Sequence, residues 1–193
     1  MNLKLKISCL ILGVLCMSTL GAQTSNENQK PSSFYGISVQ AYPAGIIATA
    51  NLERYISENT SLLFRIGANF TDRQDFSSEN DAEEGEGFGG GFGYRKHFPL
   101  KTGEVVAGIN IDIWNLWIDW RDDVGTTNER SGRTYILVLQ PWLEAGYFLP
   151  IKNTSAQIGL TLGFGREINV ITNGDEVAQD WIASASLHYK FRL

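Results

Sequence analysis

The last stretch of the chain, residues 180–193, constrains the fold more than any other segment. From Trp181 to Leu193 every odd-numbered residue is apolar or aromatic, whereas the even-numbered residues from Ser184 to Arg192 are polar or basic. A period of two is the geometry of a β-strand, whose successive side chains point to opposite faces. About 13 residues at about 3.3 Å each are enough for a tilted strand to cross the hydrocarbon layer. The pattern therefore predicts a transmembrane strand with one lipid-facing side.

The first 22 residues have the pattern of an export signal. Lys4 and Lys6 precede an apolar run that reaches Leu20 and is followed by small residues. A positive segment, a short apolar segment and small residues at the end are the parts of a cleavable signal peptide. We therefore predict a signal peptide at residues 1–22 and a polar N-terminal leader at residues 23–33.

The composition limits the classes of function. Both cysteines lie in the predicted signal peptide, so the mature chain of about 170 residues forms one domain without a disulfide. Losing Lys4 and Lys6 takes the net charge from −5 to −7, which gives no basic field for nucleic acid. No apolar run of about 18 residues follows the signal, as a membrane-spanning helix would need. Twenty Gly and 22 aromatic residues with only five Pro favour an all-β chain.

Seven earlier stretches alternate in a similar way, which gives eight predicted strands in all: residues 34–42, 46–56, 62–70, 87–98, 105–120, 134–149, 157–165 and 181–193. Short turns at 57–60, 99–103 and 150–154 alternate with longer polar loops at 71–86, 121–133 and 172–179, and the connection at 43–45 is the one tight exception. Short periplasmic turns, longer outer loops and an even number of strands are typical of an outer-membrane barrel.

From residue 34 onward the chain resembles the small eight-stranded OmpA/OmpX-type barrels of the bacterial outer membrane. Its ending, with Tyr189, Phe191 and Leu193, resembles the C-terminal signal that the barrel-assembly machinery recognises in that family. The resemblance implies an all-β, eight-stranded antiparallel up-and-down transmembrane β-barrel over residues 34–193. It also implies a location in the outer membrane, in contact with lipid and lipopolysaccharide.

Charges of both signs lie on the predicted inward face: Glu53, Arg65, Arg95, Asp112, Glu144, His188 and Lys190. Buried charges need partners, so we expect them to form a structural network inside the barrel. A barrel of eight strands is only wide enough for its side chains to fill. The Gly-rich strand at 87–98 provides room on the inward side, and Pro141 predicts a β-bulge in its strand. A small pore for small solutes is the alternative interpretation.

Aromatic residues lie near both ends of the predicted strands, where amphipathic rings would meet the two membrane interfaces. The turn-side set is Tyr35, Phe98, Tyr147, Tyr189 and Phe191, and the loop-side set is Phe70, Phe88, Trp117, Trp120, Tyr135 and Trp181. The alternative is that aromatic residues are simply common in strands.

The first long outer loop is acidic. Its carboxylates are Asp72, Asp75, Glu79, Asp81, Glu83, Glu84 and Glu86, and they face a single basic residue, Arg73. The simpler interpretation is a solvated loop kept in water by its charge. The functional interpretation is a site for divalent cations, for adhesion or for a basic extracellular partner. The spacing is not that of an EF-hand, so no calcium site is predicted.

The sequence gives little support for catalysis. Enzymes of this barrel type use Ser, His and acid residues near one membrane edge, but this chain has only His97 and His188. Ser186 shares a strand face with His188, and no acid on a neighbouring element completes a triad. We therefore predict no catalytic, metal or cofactor site, and a structural or surface-interaction role. A lipid-modifying enzyme is a lesser alternative, and a soluble lipocalin-like barrel with an apolar interior is the alternative fold.

Overall fold

A computed structural model describes residues 33–74 and 79–192. The predicted signal peptide, the leader up to residue 32, Asp75 and Leu193 lie outside the described residues. The described chain consists of strands and their connections: β1 Ser33–Tyr42, β2 Gly45–Ser57, β3 Thr60–Gln74, β4 Ala82–Pro99, β5 Glu104–Asp122, β6 Arg130–Pro150, β7 Ala156–Arg166, β8 Ile168–Asn173 and β9 Trp181–Phe191. Among these residues no helix is long and apolar enough to span a membrane.

The strands close into a ring. From β1 to β7 each strand pairs antiparallel with the next one in the sequence, and β9 pairs with β7. The ring is closed by β9 and β1, which pair from Tyr35↔Phe191 to Ala41↔Ala185. β7 and β8 are two parts of the seventh strand of the ring, which is interrupted at Glu167. Both parts pair with β6, and the short β8 pairs with residues of β6 that precede those paired with β7. Eight strands therefore form the ring within the described residues, and the predicted eight-stranded antiparallel barrel is confirmed.

The apolar face of the strands points outward. In β9, Leu187 is 56% exposed, whereas its neighbour Ser186 is 2% exposed. The same alternation leaves Ile37, Ile66, Phe92, Ile109, Leu143 and Leu162 exposed around the ring. A belt of apolar side chains on the outside of a closed barrel is the arrangement for lipid contact. It is the reverse of the soluble lipocalin-like alternative, which places its apolar residues inside.

Outward aromatic residues pair between neighbouring strands near the outer end of the barrel. Trp117 lies between Phe88 and Tyr135, with ring centroids 5.8 and 5.5 Å away, and Phe164 stacks on Trp181 at 5.3 Å. The prediction was wrong for Trp120, which points into the barrel and is 7% exposed. Trp117 and Trp120 are an odd number of positions apart, so a continuous strand must place them on opposite faces.

The strands run further outward than the polarity of the sequence suggested. β3 and β4 stay paired to Gln74↔Ala82, and β5 and β6 stay paired to Asp122↔Arg130. Nine of the 16 residues of the predicted loop at 71–86 and six of the 13 residues of the predicted loop at 121–133 are therefore strand. Backbone hydrogen bonds hold these extensions without an apolar face, so hydrophobic alternation could not reveal them.

Glycine residues of β4 and Pro141 of β6 affect the local pairing and packing of the strands. Inward Gly89, Gly91 and Gly93 leave room for large side chains of β5, because a Cβ at these positions would collide with Trp114, Asp112 and Asn110 in that order. Pro141 does not carry the predicted bulge: it keeps its register with Ile111. The shift lies between Leu137 and Val138, opposite β8.

Candidate functional site

An apolar layer fills the outer half of the lumen. Its members are Tyr42, Ala44, Ile47, Trp114, Leu116, Ile118, Trp120, Ile136, Val138, Val177, Ala178 and Ile182. Trp114, Leu116 and Ile118 are fully buried. The alternation in the sequence predicts a polar inward face and does not reveal this layer. Residues 113–118 are apolar at nearly every position, so alternation carries no information about which side faces inward.

Buried charges fill the inner half, beginning at mid-depth with Arg65 and Asp112. Arg65 Nε donates to Asp112 Oδ1 over 2.8 Å, and the second nitrogen of its fork also contacts this carboxylate. Trp142 Nε1 donates to Asp112 Oδ2 over 2.8 Å, and the Arg65 guanidinium lies 4.7 Å from the Trp142 ring centroid. The Gln40 carbonyl accepts from Arg65 at 3.1 Å. Contacts with Trp142 and Gln40 therefore hold the ion pair of Arg65 and Asp112 in place.

A second group of charges lies closer to the periplasmic end. Arg95 forms a two-point ion pair with Glu144, in which Nη2 donates over 3.0 Å, and also lies 3.6 Å from Glu53. Lys190 Nζ bridges Glu53 at 2.9 Å and Glu104 at 3.2 Å. These residues come from β2, β4, β5, β6 and β9, so the ion pairs connect strands across the lumen.

The structure places all seven predicted lumen charges inside the barrel and joins six of them in ion pairs. His188 instead makes a hydrogen bond to Thr161 Oγ1 at 2.9 Å. Glu104 was not predicted as a member of this set, because it directly follows a turn and begins its strand. Its side chain is 13% exposed and nevertheless contacts both Lys190 and His97.

Ser61, His97 and Glu104 lie in a row on three adjacent strands. Ser61 Oγ is 2.8 Å from His97 Nε2, and His97 Nδ1 is 3.1 Å from Glu104 Oε2. The spacing is that of a Ser-His-acid set, but Ser61 is fully buried and its hydroxyl donates to Glu53 Oε1 over 2.7 Å. A hydroxyl whose single proton goes to a carboxylate cannot give it to the imidazole. The row is therefore joined to the charge network through Glu53.

A separate buried cluster lies at the outer end. Arg73 Nη1 contacts Glu83 Oε2 at 3.0 Å, and Arg73 Nη2 contacts Glu167 Oε1 at 2.7 Å. The solvated-loop interpretation is wrong for Glu83, which points inward and is buried. The other described acids of that segment, Asp72, Glu79, Asp81, Glu84 and Glu86, are exposed. Glu167 lies between β7 and β8, outside the spanning strands, and burial raises the pKa of its carboxyl above the ordinary value.

The connection at residues 174–180 folds into the outer mouth. Val177 and Ala178 are buried in the apolar layer. The Ala178 carbonyl accepts from Arg73 Nη1 over 2.6 Å, and its N–H donates to Glu83 Oε1 over 3.0 Å. Asn169 Nδ2 donates to the Val177 carbonyl over 3.0 Å. This segment therefore covers the lumen from the outside.

A closed ring of eight strands with an apolar outer belt and a charged lumen is the architecture of a small transmembrane β-barrel. Among the described residues, no group of His, Asp and Glu side chains is arranged to hold a metal ion.

Comparison with solved structures finds proteins of similar fold. A major outer membrane protein from Thermus thermophilus matches with a TM-score of 0.59 and 12% identity, over 86% of this chain and 100% of that one. Neisserial surface protein A matches with a TM-score of 0.53 and 8% identity, over 86% of this chain and 100% of that one. No protein-family model and no curated protein sequence matches this chain. At these identities the likeness concerns the fold alone.

Proposed function

We propose that this protein is a non-conducting outer-membrane barrel with a filled lumen, and that it acts as a structural and surface-interaction protein through its outer end. The observation that carries this proposal is the double filling of the lumen, by an apolar layer above and an ion-paired layer below. The segment at residues 174–180 adds a cover over both.

The filling argues against the pore alternative. A hydrated ion crossing the barrel would have to pass Trp114 and Leu116, both fully buried, and would lose its hydration without gaining polar partners. Below that level it would have to separate ion pairs such as Arg65 and Asp112, whose side chains are almost completely buried. Both steps are costly, so steady conduction is not expected.

The outer end supports the surface-interaction part of the proposal. The β3–β4 and β5–β6 hairpins stay paired beyond the aromatic level of Phe88 and Trp117. They therefore present an ordered surface outside the membrane that is acidic on the β3–β4 hairpin, where Asp72 and Glu84 are exposed. On the β5–β6 hairpin the charge is mixed, since Asp119 pairs with Arg133. A rigid surface loses little conformational entropy when it binds a partner.

Planar-bilayer recording tests the filled lumen. We expect the refolded protein to show no large, steady conductance, and Trp114→Ala to show brief openings because it removes the largest fully buried side chain. Ile113→Ala is the matched control on the same strand, since Ile113 faces lipid and is 49% exposed. A stable channel of about nanosiemens size in the parent protein would contradict the proposal.

We also propose that residues 1–22 are removed on export and that the last strand carries the assembly signal of Tyr189, Phe191 and Leu193. Phe191 pairs with Tyr35 of β1 and with Ala156 of β7, so it lies at the closing seam of the ring. Phe191→Ala should slow assembly in cells more than refolding in detergent. Leu187→Ala, also outward on β9, is the control, and equal effects on both processes would argue against a recognition role.

A further inference from the structure

Two cations lie on the lipid-facing side of the barrel near its periplasmic end. Arg54 of β2 and Lys96 of β4 are exposed and share the outward face of their strands with Leu52 and Phe98. Within the described residues neither cation forms an ion pair, and Lys96 Nζ has one polar neighbour, Thr60 Oγ1, at 3.5 Å. The short turns lie at this end, so both cations belong to the inner interface of the membrane.

The strand register brings the two cations to either side of one leucine. Arg54 pairs with Leu62 of β3, which pairs in turn with Tyr94 of β4. Lys96 follows Tyr94 on the same face of β4 and lies nearer the periplasm. Neighbouring strands lie about 4.8 Å apart, so Arg54 and Tyr94 are separated by about 10 Å, with Leu62 between them. Two long cationic side chains and a phenol hydroxyl therefore surround an apolar centre.

On the lipid-facing side this charge is confined to one sector of the ring. Near the same end, the outward residues of the other strands are aromatic or aliphatic: Tyr35, Val105, Tyr147, Ile158 and Tyr189. Toward the middle of the membrane the sector continues with Phe64 and Phe92, both exposed, whose ring centroids lie 5.2 Å apart. Cations at a bilayer interface attract anionic headgroups. A cationic edge that continues into an apolar surface therefore matches an amphiphile with an anionic headgroup.

The turns at the periplasmic end are basic as well. Lys101, Lys152 and Arg192 are exposed in or beside them, against one exposed acid, Glu58, within the part of the chain that the structure describes. These cations lie at the rim of the barrel and not on its lipid-facing wall. The potential of the whole end thus favours anions, and the two cations on the wall are those that a lipid headgroup meets directly.

We propose that Arg54, Tyr94 and Lys96 form a site for the phosphate headgroup of a phospholipid of the inner leaflet. The guanidinium and ammonium groups pair with phosphate oxygens, and the Tyr94 hydroxyl donates to one of them. One acyl chain lies over Leu62 and continues across Phe64. Lipid A also carries phosphate, but it belongs to the outer leaflet, at the opposite end of the barrel. The inference adds a lipid partner and does not depend on the filled lumen or on the outer surface.

Native mass spectrometry of the refolded mature protein in detergent micelles tests this site, with phosphatidylglycerol as the probe. Titration should give one tightly bound lipid before weaker adducts appear. Diacylglycerol with the same acyl chains lacks the phosphate and should give no tight adduct. Arg54→Gln/Lys96→Gln should weaken the first adduct about tenfold, since two charge-assisted contacts are lost. A parent protein without a saturable first adduct would overturn the site.

The matched control is Lys152→Gln/Arg192→Gln, which removes one lysine and one arginine from exposed positions at the same end. It should change the affinity by less than about twofold, since distant exposed charges are screened. Equal losses in the two double variants would overturn the site in favour of a diffuse basic end. Arg54→Lys/Lys96→Arg keeps both charges and should bind nearly as tightly as the parent. A loss as large as that of the neutral variant would overturn the role given to charge.

Tyr94→Phe keeps the ring without the hydroxyl and should weaken the first adduct about fivefold, whereas unchanged affinity would overturn the role of this hydroxyl. Competition separates the two sources of phosphate, because displacement of phosphatidylglycerol by equimolar lipid A would overturn the assignment to the inner leaflet. The change in gel migration on boiling shows that each variant is folded. Bilayer recordings keep the two proposals apart: a steady channel would count against the filled lumen alone, and a missing lipid adduct against this site alone.

Discussion

Arg73 Nη2 lies 2.7 Å from Glu167 Oε1, so a buried ion pair joins the third strand to the interruption of the seventh across the barrel mouth. The same guanidinium also contacts Glu83 and the Ala178 carbonyl. The Arg73 guanidinium thus contacts two carboxylates and the segment that covers the lumen.

The burial of the Glu167 carboxyl predicts a pH dependence. Burial raises the pKa of Glu167 in the folded protein, so the folded state binds a proton more readily than the unfolded chain. The free energy of unfolding should therefore fall as the pH rises from the ordinary Glu pKa through the raised one. Urea unfolding from lipid vesicles between about pH 4 and about pH 8 measures this fall.

Glu167→Gln stays neutral over that range and should remove this part of the pH dependence. Glu84→Gln, at an exposed position, should leave it in place. A pH profile of Glu167→Gln that coincides with that of the parent would show that Glu167 is not the group responsible.

The orientation of the last strand predicts unequal costs at two neighbouring residues. Leu187 faces lipid and Ser186 faces the lumen. Leu187→Arg should lower the free energy of unfolding by about 2–4 kcal/mol, the cost of Arg at the lipid midplane of such barrels. Ser186→Asn should cost far less, since the lumen accepts polar groups. Unfolding from vesicles compares them, and a larger loss at residue 186 would mean that the faces are inverted.

The ion pair of Arg65 with Asp112 predicts a strong effect of removing only one partner. Arg65→Met leaves the fully buried Asp112 without its cation and should cost about 3–5 kcal/mol. Adding Asp112→Asn removes the uncompensated charge and should restore part of the loss. Arg54→Met, at an exposed position, should cost less than about 1 kcal/mol. Urea titration of the four proteins measures their free energies of unfolding. A loss for Arg65→Met as small as that for Arg54→Met would contradict the network.

A closed ring of backbone hydrogen bonds predicts resistance to detergent. The refolded protein should migrate differently in gel electrophoresis before and after boiling, because β1 to β7 and β9 are each paired with a neighbour on both sides and resist unfolding in detergent. Identical migration of both samples would count against a closed barrel.

The sequence was most informative where one face of a strand is apolar and the other polar. In β9 the alternation from Trp181 to Lys190 determined the strand, its lipid-facing side and the inward positions of His188 and Lys190. The inward charges of β2 to β6 were identified for the same reason. A charged side chain on an otherwise apolar strand points into the lumen, because its exposure to lipid is costly.

The sequence was least informative where alternation is lost. Trp114 and Leu116 lie in a segment that is apolar on both sides, so the apolar inner layer could not be predicted. Arg73 and Glu83 lie in strand extensions without an apolar face and were assigned to a loop. The Ser61 and His97 contact joins neighbouring strands, and only the register between them brings the two side chains together.

The seam between β1 and β9 has a consequence for how the ring opens. Its ladder extends only from Tyr35↔Phe191 to Ala41↔Ala185, whereas the β5–β6 ladder extends from Glu104↔Phe148 to Asp122↔Arg130. Two paired strands separate most easily where their ladder contains the fewest paired residues. Among the ladders that join the eight strands of the ring, the β1–β9 ladder is the shortest. The first and last strands should therefore part before any other neighbours in the ring, and the sheet that results would present two complementary borders. During biogenesis, joining these borders would be the step that converts a curved ribbon into a sealed cylinder.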